Sequence, residues 1–152
     1  MTSSDYFEFF SQAKIMSGNR AMSNIPIELD GFDARKPLVV TSKEVTKAGL
    51  GKKFARALYD SNVVIGAIFD EVPYYAGISQ VRDLAKLFRD RGCDSLIAIG
   101  GGAAADVAKC VNVMVSGETD DILQFVGEDR ITRHLKPFIY VTALKKGYTP
   151  DS

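Results

Sequence analysis

The sequence predicts an α/β fold: a parallel sheet with helices on both faces and an N-terminal β-hairpin. Three observations carry that expectation. Short apolar runs of strand length alternate with amphipathic stretches of about a dozen residues, the pattern of βαβ crossovers. Those runs are apolar throughout, as strands covered on both faces require. One of them, "SLIAIG" (95–100), enters three consecutive glycines and then a helix-forming stretch.

The elements follow in order. "YFEFFSQAKIMSG" (6–18) breaks its aromatic and apolar residues with polar steps and closes on Gly18, which predicts a hairpin or two short edge strands. "NRAMSNIPIEL" (19–29) reads as a short helix capped by Asn19, with Pro26 expected to break or reshape it. "KPLVVTS" (36–42) is a buried strand. "KEVTKAGLGKKFARALYDSN" (43–62) spaces its apolar residues as an amphipathic helix bent near Gly49–Gly51. "VVIGAIFD" (63–70) is the next strand, before a turn at Pro73. The helix over 78–92 sets Ile78, Val81, Leu84, Ala85 and Phe88 on one face and stops at Gly92. After the 95–100 strand, 103–116 forms a helix striped by Ala104, Val107, Ala108, Val111 and Val115. "DDILQFVG" (120–127) is a short helix or turn, and "KPFIYVTAL" (136–144) a last strand.

With 152 residues the chain fits one domain, 1–152, with enough length to bury a core. Lys plus Arg and Asp plus Glu number 19 each, so no bulk field recruits nucleic acid or an anionic membrane. No apolar stretch of spanning length and no basic, apolar leader is present, and a cytoplasmic location is the expectation. Cys93 and Cys110 lack metal-ligand spacing and are expected as unbridged thiols. His134 is the one histidine, so a site built from several imidazoles cannot come from this chain alone, and no bound iron or zinc is expected in it.

Gly100, Gly101 and Gly102 lie where a strand hands over to a helix. Without Cβ atoms they let a ligand approach the backbone, and the unpaired N–H groups of the following helix suit a diphosphate. A tight turn that binds nothing accounts for the same glycines, and the stretch is neither GxGxxG nor GxxxxGK[ST]. Asp106 and Lys109, three apart on one helix face, read equally as a solvated ion pair or as groups orienting a cofactor.

At these residues the chain resembles the iron-containing (group III) alcohol dehydrogenase family. "GGGAAADVAK" (100–109) answers the family's GGGS-x-x-D-x-A-K, and "AKIMSGNRAMSNIPIEL" (13–29) its K-I-x-x-G-x-x-A-x-x-x-I-P opening. "PLVVTS", "FDEVP" and "GCDSLIAIGGG" keep the family's order. The resemblance covers the first, nucleotide-binding domain of the family, and implies that 1–152 is a Rossmann-like dinucleotide-binding domain with a leading β-hairpin. It also implies a pyrophosphate cradle at Gly100, Gly101, Gly102 and Ala103, with Asp106, Lys109 and Thr142 at the cofactor. The cofactor implied is NADP or NAD, bound weakly. In the family an all-helical domain, expected to be absent here, carries the Fe or Zn ligands. The chain alone is therefore expected not to turn over alcohols. Expected partners are the dinucleotide and either a second copy of the chain or that helical domain.

Three departures from the pattern matter. Ser42 stands where many members carry an Asp that holds the adenosine ribose and repels a 2′-phosphate; its loss tilts the expectation toward NADP or toward no preference. Ala103 replaces a Ser hydroxyl, and Tyr74 and Tyr75 stand where Asn or Asp is common. A different reading, from the same departures, is a degenerate non-catalytic nucleotide-binding or protein-assembly module.

Overall fold

The computed structural model describes residues 14–16, 21–72, 78–117 and 135–142. Its elements are β1 (Lys14–Met16), α1 (Ala21–Gly31), β2 (Pro37–Val40), α2 (Lys43–Lys47), α3 (Leu50–Ala57), β3 (Ala67–Phe69), α4 (Ile78–Asp90), β4 (Ser95–Gly100), α5 (Gly102–Gly117) and β5 (Phe138–Thr142). The five strands form one sheet in the order β1-β5-β4-β2-β3, and every pairing is parallel. Of the expected hairpin, Lys14–Met16 is described, as an edge strand parallel to β5; the remainder, Asn19 and the 120–127 segment lie outside the described residues.

Strand periodicity of two distributes the apolar residues between two cores. Leu38, Val40, Leu96, Ala98 and Phe138 face α4 and α5. Their immediate neighbours Val39, Ile97, Ile99, Ile139 and Val141 face α1 and α3. The central strands thus have no solvent side, which is why their sequence reads apolar without alternation.

Three elements depart from expectation. Helix α1 runs through Pro26 rather than breaking there. A proline removes one intrahelical hydrogen bond, and here Ile25 and Leu29, both fully buried, hold the turns on either side against the sheet. The 43–62 helix is two helices, separated at Gly49, whose φ of 104° a residue with a Cβ rarely adopts. The second ends at Ala57, short of residue 62: Asp60 turns left-handed and the Ser61 hydroxyl donates to the Leu58 carbonyl. Strand β3 begins at Ala67, four residues later than the apolar run suggests, because 63–66 contact β2's entry only through single bonds, Val64 N–H to the Arg35 carbonyl and Gly66 N–H to that of Pro37.

The N-terminal ends of the strands are tied by Asp94. Its Oδ2 accepts from Arg35 N–H and its Oδ1 from Lys36 N–H, each at 2.8 Å, and the Ser95 hydroxyl donates to Oδ1. Partial burial opposes ionisation of this carboxyl, but the hydrogen bonds outweigh it and hold the group below the usual carboxylate range. A depressed native value stabilises the fold above the ordinary carboxylate range, and that contribution disappears as pH falls through the native value. Asp94→Asn is expected to cost about 1–3 kcal/mol at neutral pH, from weakened acceptor bonds. In urea unfolding the gap between the two proteins should close below about pH 4; a gap that persists unchanged at about pH 3 would assign the cost to shape rather than to charge.

Candidate functional site

The connection from β2 to β3 leaves on one side of β2, and the chain then returns to β4 on the other side. The C-terminal ends of β2 and β4 therefore flank a topological switch point, where open parallel sheets leave a crevice for ligands. A cavity of about 430 Å³ lies there. Gly101, Ala103 and Ala104 line it from the start of α5, Ser42 and Glu44 from beyond β2, and Val72 from beyond β3.

The three glycines serve different purposes. Gly100 has φ 121°, a left-handed conformation that admits the turn out of β4, and a Cβ there would lie 3.5 Å from Val45 Cγ2. Gly101 and Gly102 need no such conformation, and a Cβ on either would meet no atom within 4 Å. Folding thus accounts for Gly100 alone. The bare backbone at Gly101 and Gly102 faces open space, at the N-terminus of a sixteen-residue helix whose first N–H groups have no intrahelical acceptor.

Supporting groups lie under the turn. The buried Thr41 hydroxyl donates to the Ile99 carbonyl at 2.8 Å, tying β2 to β4 just below the crevice. The Tyr140 hydroxyl donates to the Gly100 carbonyl at 3.3 Å. Burial, then the nearby Asp106 charge, pushes that phenol above its ordinary range, so it remains a donor at neutral pH. Thr142 lies opposite Gly100 across the β4–β5 pairing. Its Oγ1 is buried with no hydrogen-bond partner, a state that ordinarily costs about 1–3 kcal/mol.

Of the residues singled out in the sequence, Ser42, Gly101 and Ala103 come together at the cavity, with Gly100, Gly102 and Thr142 around the same turn. Asp106 and Lys109 do not line it. Asp106 is exposed and Lys109 half-buried, farther along α5. Asp106 acts on Tyr140 and on Cys110. Cys93 and Cys110 are unbridged and half-buried, and burial raises both thiols. Glu44, Tyr140 and Thr41 escaped the sequence reading. Glu44 looks there like one more charge on an amphipathic helix, and the other two are recognisable only once strands distant in sequence are paired. Tyr74, Tyr75 and His134 lie outside the described residues.

The model for the iron-containing alcohol dehydrogenase family matches residues 12–144. The chain belongs to that family. Among its relatives, a 4-hydroxybutyrate dehydrogenase of Cupriavidus necator is 34% identical over 124 residues, 80% of this chain and 32% of the relative. The NAD-dependent methanol dehydrogenase of Bacillus methanolicus is 25% identical over 134 residues, covering 88% and 35%. The chain spans about a third of the length of these curated relatives. In solved structures the same Rossmann-like sheet recurs. A 1,3-propanediol oxidoreductase superposes with a TM-score of 0.74 at 28% identity, over 86% of this chain and 34% of that one. An alcohol dehydrogenase from Oenococcus oeni gives 0.74 at 25% identity, over 86% and 34%. In this member of the iron-containing alcohol dehydrogenase family, Gly100–Gly102 form the turn into α5, with Ala103 at the helix start and Ser42 beyond the end of β2.

No helix among the described residues is long and apolar enough to cross a membrane. Nor, among the described residues, do three or more His, Cys, Asp or Glu side chains group as metal ligands.

Proposed function

We propose that residues 1–152 act as the dinucleotide-binding part of a metal-dependent alcohol dehydrogenase, holding NAD or NADP for hydride exchange with an alcohol or aldehyde. The bound nicotinamide would supply the hydride chemistry. The chain's contribution is to bind and orient it. Backbone N–H groups at Gly101, Gly102 and Ala103 receive the pyrophosphate, Gly100 turns the chain beneath it, and Ser42 faces the adenosine half. The unpartnered Thr142 hydroxyl beside the turn is available to a ligand oxygen, while Asp106 and Lys109 act from farther along the helix.

One observation carries this reading: Gly101, which lines the switch-point crevice, and Gly102 beside it leave open backbone at a helix N-terminus where nothing in the fold demands glycine. The Ala103 and Ser42 replacements remove polar contacts, so the expected affinity is micromolar or weaker. Calorimetric titration with NAD and NADP, with amide chemical shifts as a map, tests it. Shifts concentrated at Ser42, Gly100–Ala104 and Thr142 are expected. A nucleotide that binds but perturbs other residues would move the site, and the absence of any binding would overturn the reading.

A further inference from the structure

Resting on that reading, we propose that Glu44 makes this site select NAD over NADP, taking over a discrimination that Ser42 alone would not provide. In dinucleotide folds an acidic residue beyond the strand next to the glycine turn accepts from the adenosine ribose hydroxyls, whereas a cation near that place accommodates a 2′-phosphate. Here the strand next to the turn is β2, and Ser42 follows it with no charge. Two residues on, Glu44 lines the same cavity as Gly101 and Ala103. It is exposed, and among the described residues its carboxylate makes no ion pair or hydrogen bond, so it is available to a ribose hydroxyl.

The neighbouring cation does not offset it. Lys43 Nζ lies 3.6 Å from Asp70 Oδ1 and 3.5 Å from Glu71 Oε1, at the end of β3. Asp70 is further fixed by the Thr46 hydroxyl at 3.1 Å. Lys43 is thus paired with two carboxylates that precede the cavity-lining Val72, and Glu44 is the charged residue among those that line the cavity. A 2′-phosphate, carrying a charge of about −1.5 to −2 near neutral pH, is repelled there. A neutral 2′-hydroxyl meets an acceptor instead. An Asp at position 42 is thus not needed for discrimination.

The test is calorimetric titration of the wild-type chain, Glu44→Gln and Glu44→Lys with NAD and NADP at low and high salt. In the wild type, NADP should bind at least about tenfold more weakly than NAD. Glu44→Gln should bring the two within about threefold of each other, and Glu44→Lys should invert the order. Raising the salt should compress the wild-type ratio, since exposed charges are screened beyond about 8 Å at physiological ionic strength. Any loss of helix stability from removing the first-turn carboxylate would lower both affinities together and leave the ratio unmoved. Equal affinities in the wild type, tighter NADP binding, or an unchanged ratio in Glu44→Gln would overturn the proposal while leaving the nucleotide site standing. Failure of both nucleotides to bind the folded wild type would overturn the underlying functional reading and this one with it.

Discussion

Replacing Gly101 with valine is expected to weaken dinucleotide binding by about a hundredfold or more, near 2.7 kcal/mol, while leaving the fold intact. The separation of the two effects follows from the glycine's surroundings. Its φ lies outside the left-handed region, and an added Cβ meets no protein atom within 4 Å. The valine branches therefore project into open space beside the crevice, where the proposed site puts the pyrophosphate. Gly100→Ala is the contrasting control. With φ at 121° and Val45 beside it, that substitution should cost about 1–3 kcal/mol of folding stability. Titration calorimetry together with thermal unfolding of both variants checks the pair. A Gly101→Val protein that binds as the wild type does would place the nucleotide elsewhere; one that unfolds would mean that the glycine serves the turn.

The second large effect is on stability. Asn112, buried on the inner side of α5, clamps the segment entering β5: its Oδ1 accepts from Lys136 N–H at 2.8 Å and its Nδ2 donates to the Lys136 carbonyl at 2.9 Å. The Ser116 hydroxyl also donates to Oδ1. The amide thus supplies the donor and acceptor that a neighbouring strand would otherwise offer. Asn112→Ala leaves the Lys136 carbonyl unmet, leaves its N–H with the longer 3.2 Å bond to the Ser116 hydroxyl, and opens space beneath the helix, for an expected loss of about 2–4 kcal/mol. That is a large fraction of the roughly 5–15 kcal/mol typical of a domain. Chemical denaturation measures the loss, and amide exchange should rise first along Phe138–Thr142. A loss under about 0.5 kcal/mol would show that water replaces the clamp without penalty.

The fold was legible because the central strands are apolar on both faces and each is followed by a helix-length amphipathic stretch. Local punctuation was legible where one residue decides it, as at Gly49. Pro26 shows the limit: the rule that proline interrupts a helix is local, whereas Ile25 and Leu29 are held by a sheet assembled from distant residues. The glycine turn was visible as a pattern, but the division of labour between Gly100 and its two successors needed φ values and neighbouring atoms. Glu44 was missed for a related reason. Helical spacing assigns a face within one helix, and its position at the crevice depends on where β2 ends relative to β4. The clamps made by Asp94 and Asn112 bridge elements far apart in sequence, and nothing in their immediate sequence marks them.

The sheet order also has a consequence for how the chain assembles during synthesis. Strand β1 is the earliest of the described strands to be made, yet its neighbour in the sheet is β5, the latest: Lys14 lies opposite Ile139 and Met16 opposite Val141. Helix α1 can settle against α3 well before that, because both contribute to one apolar cluster. β1 must wait while most of the chain is translated. Closing so long a loop is entropically slow, and contacts at such separation form late. β1 is therefore the strand left without its neighbour longest on the ribosome, and the one through which a growing chain is most exposed to pairing with another.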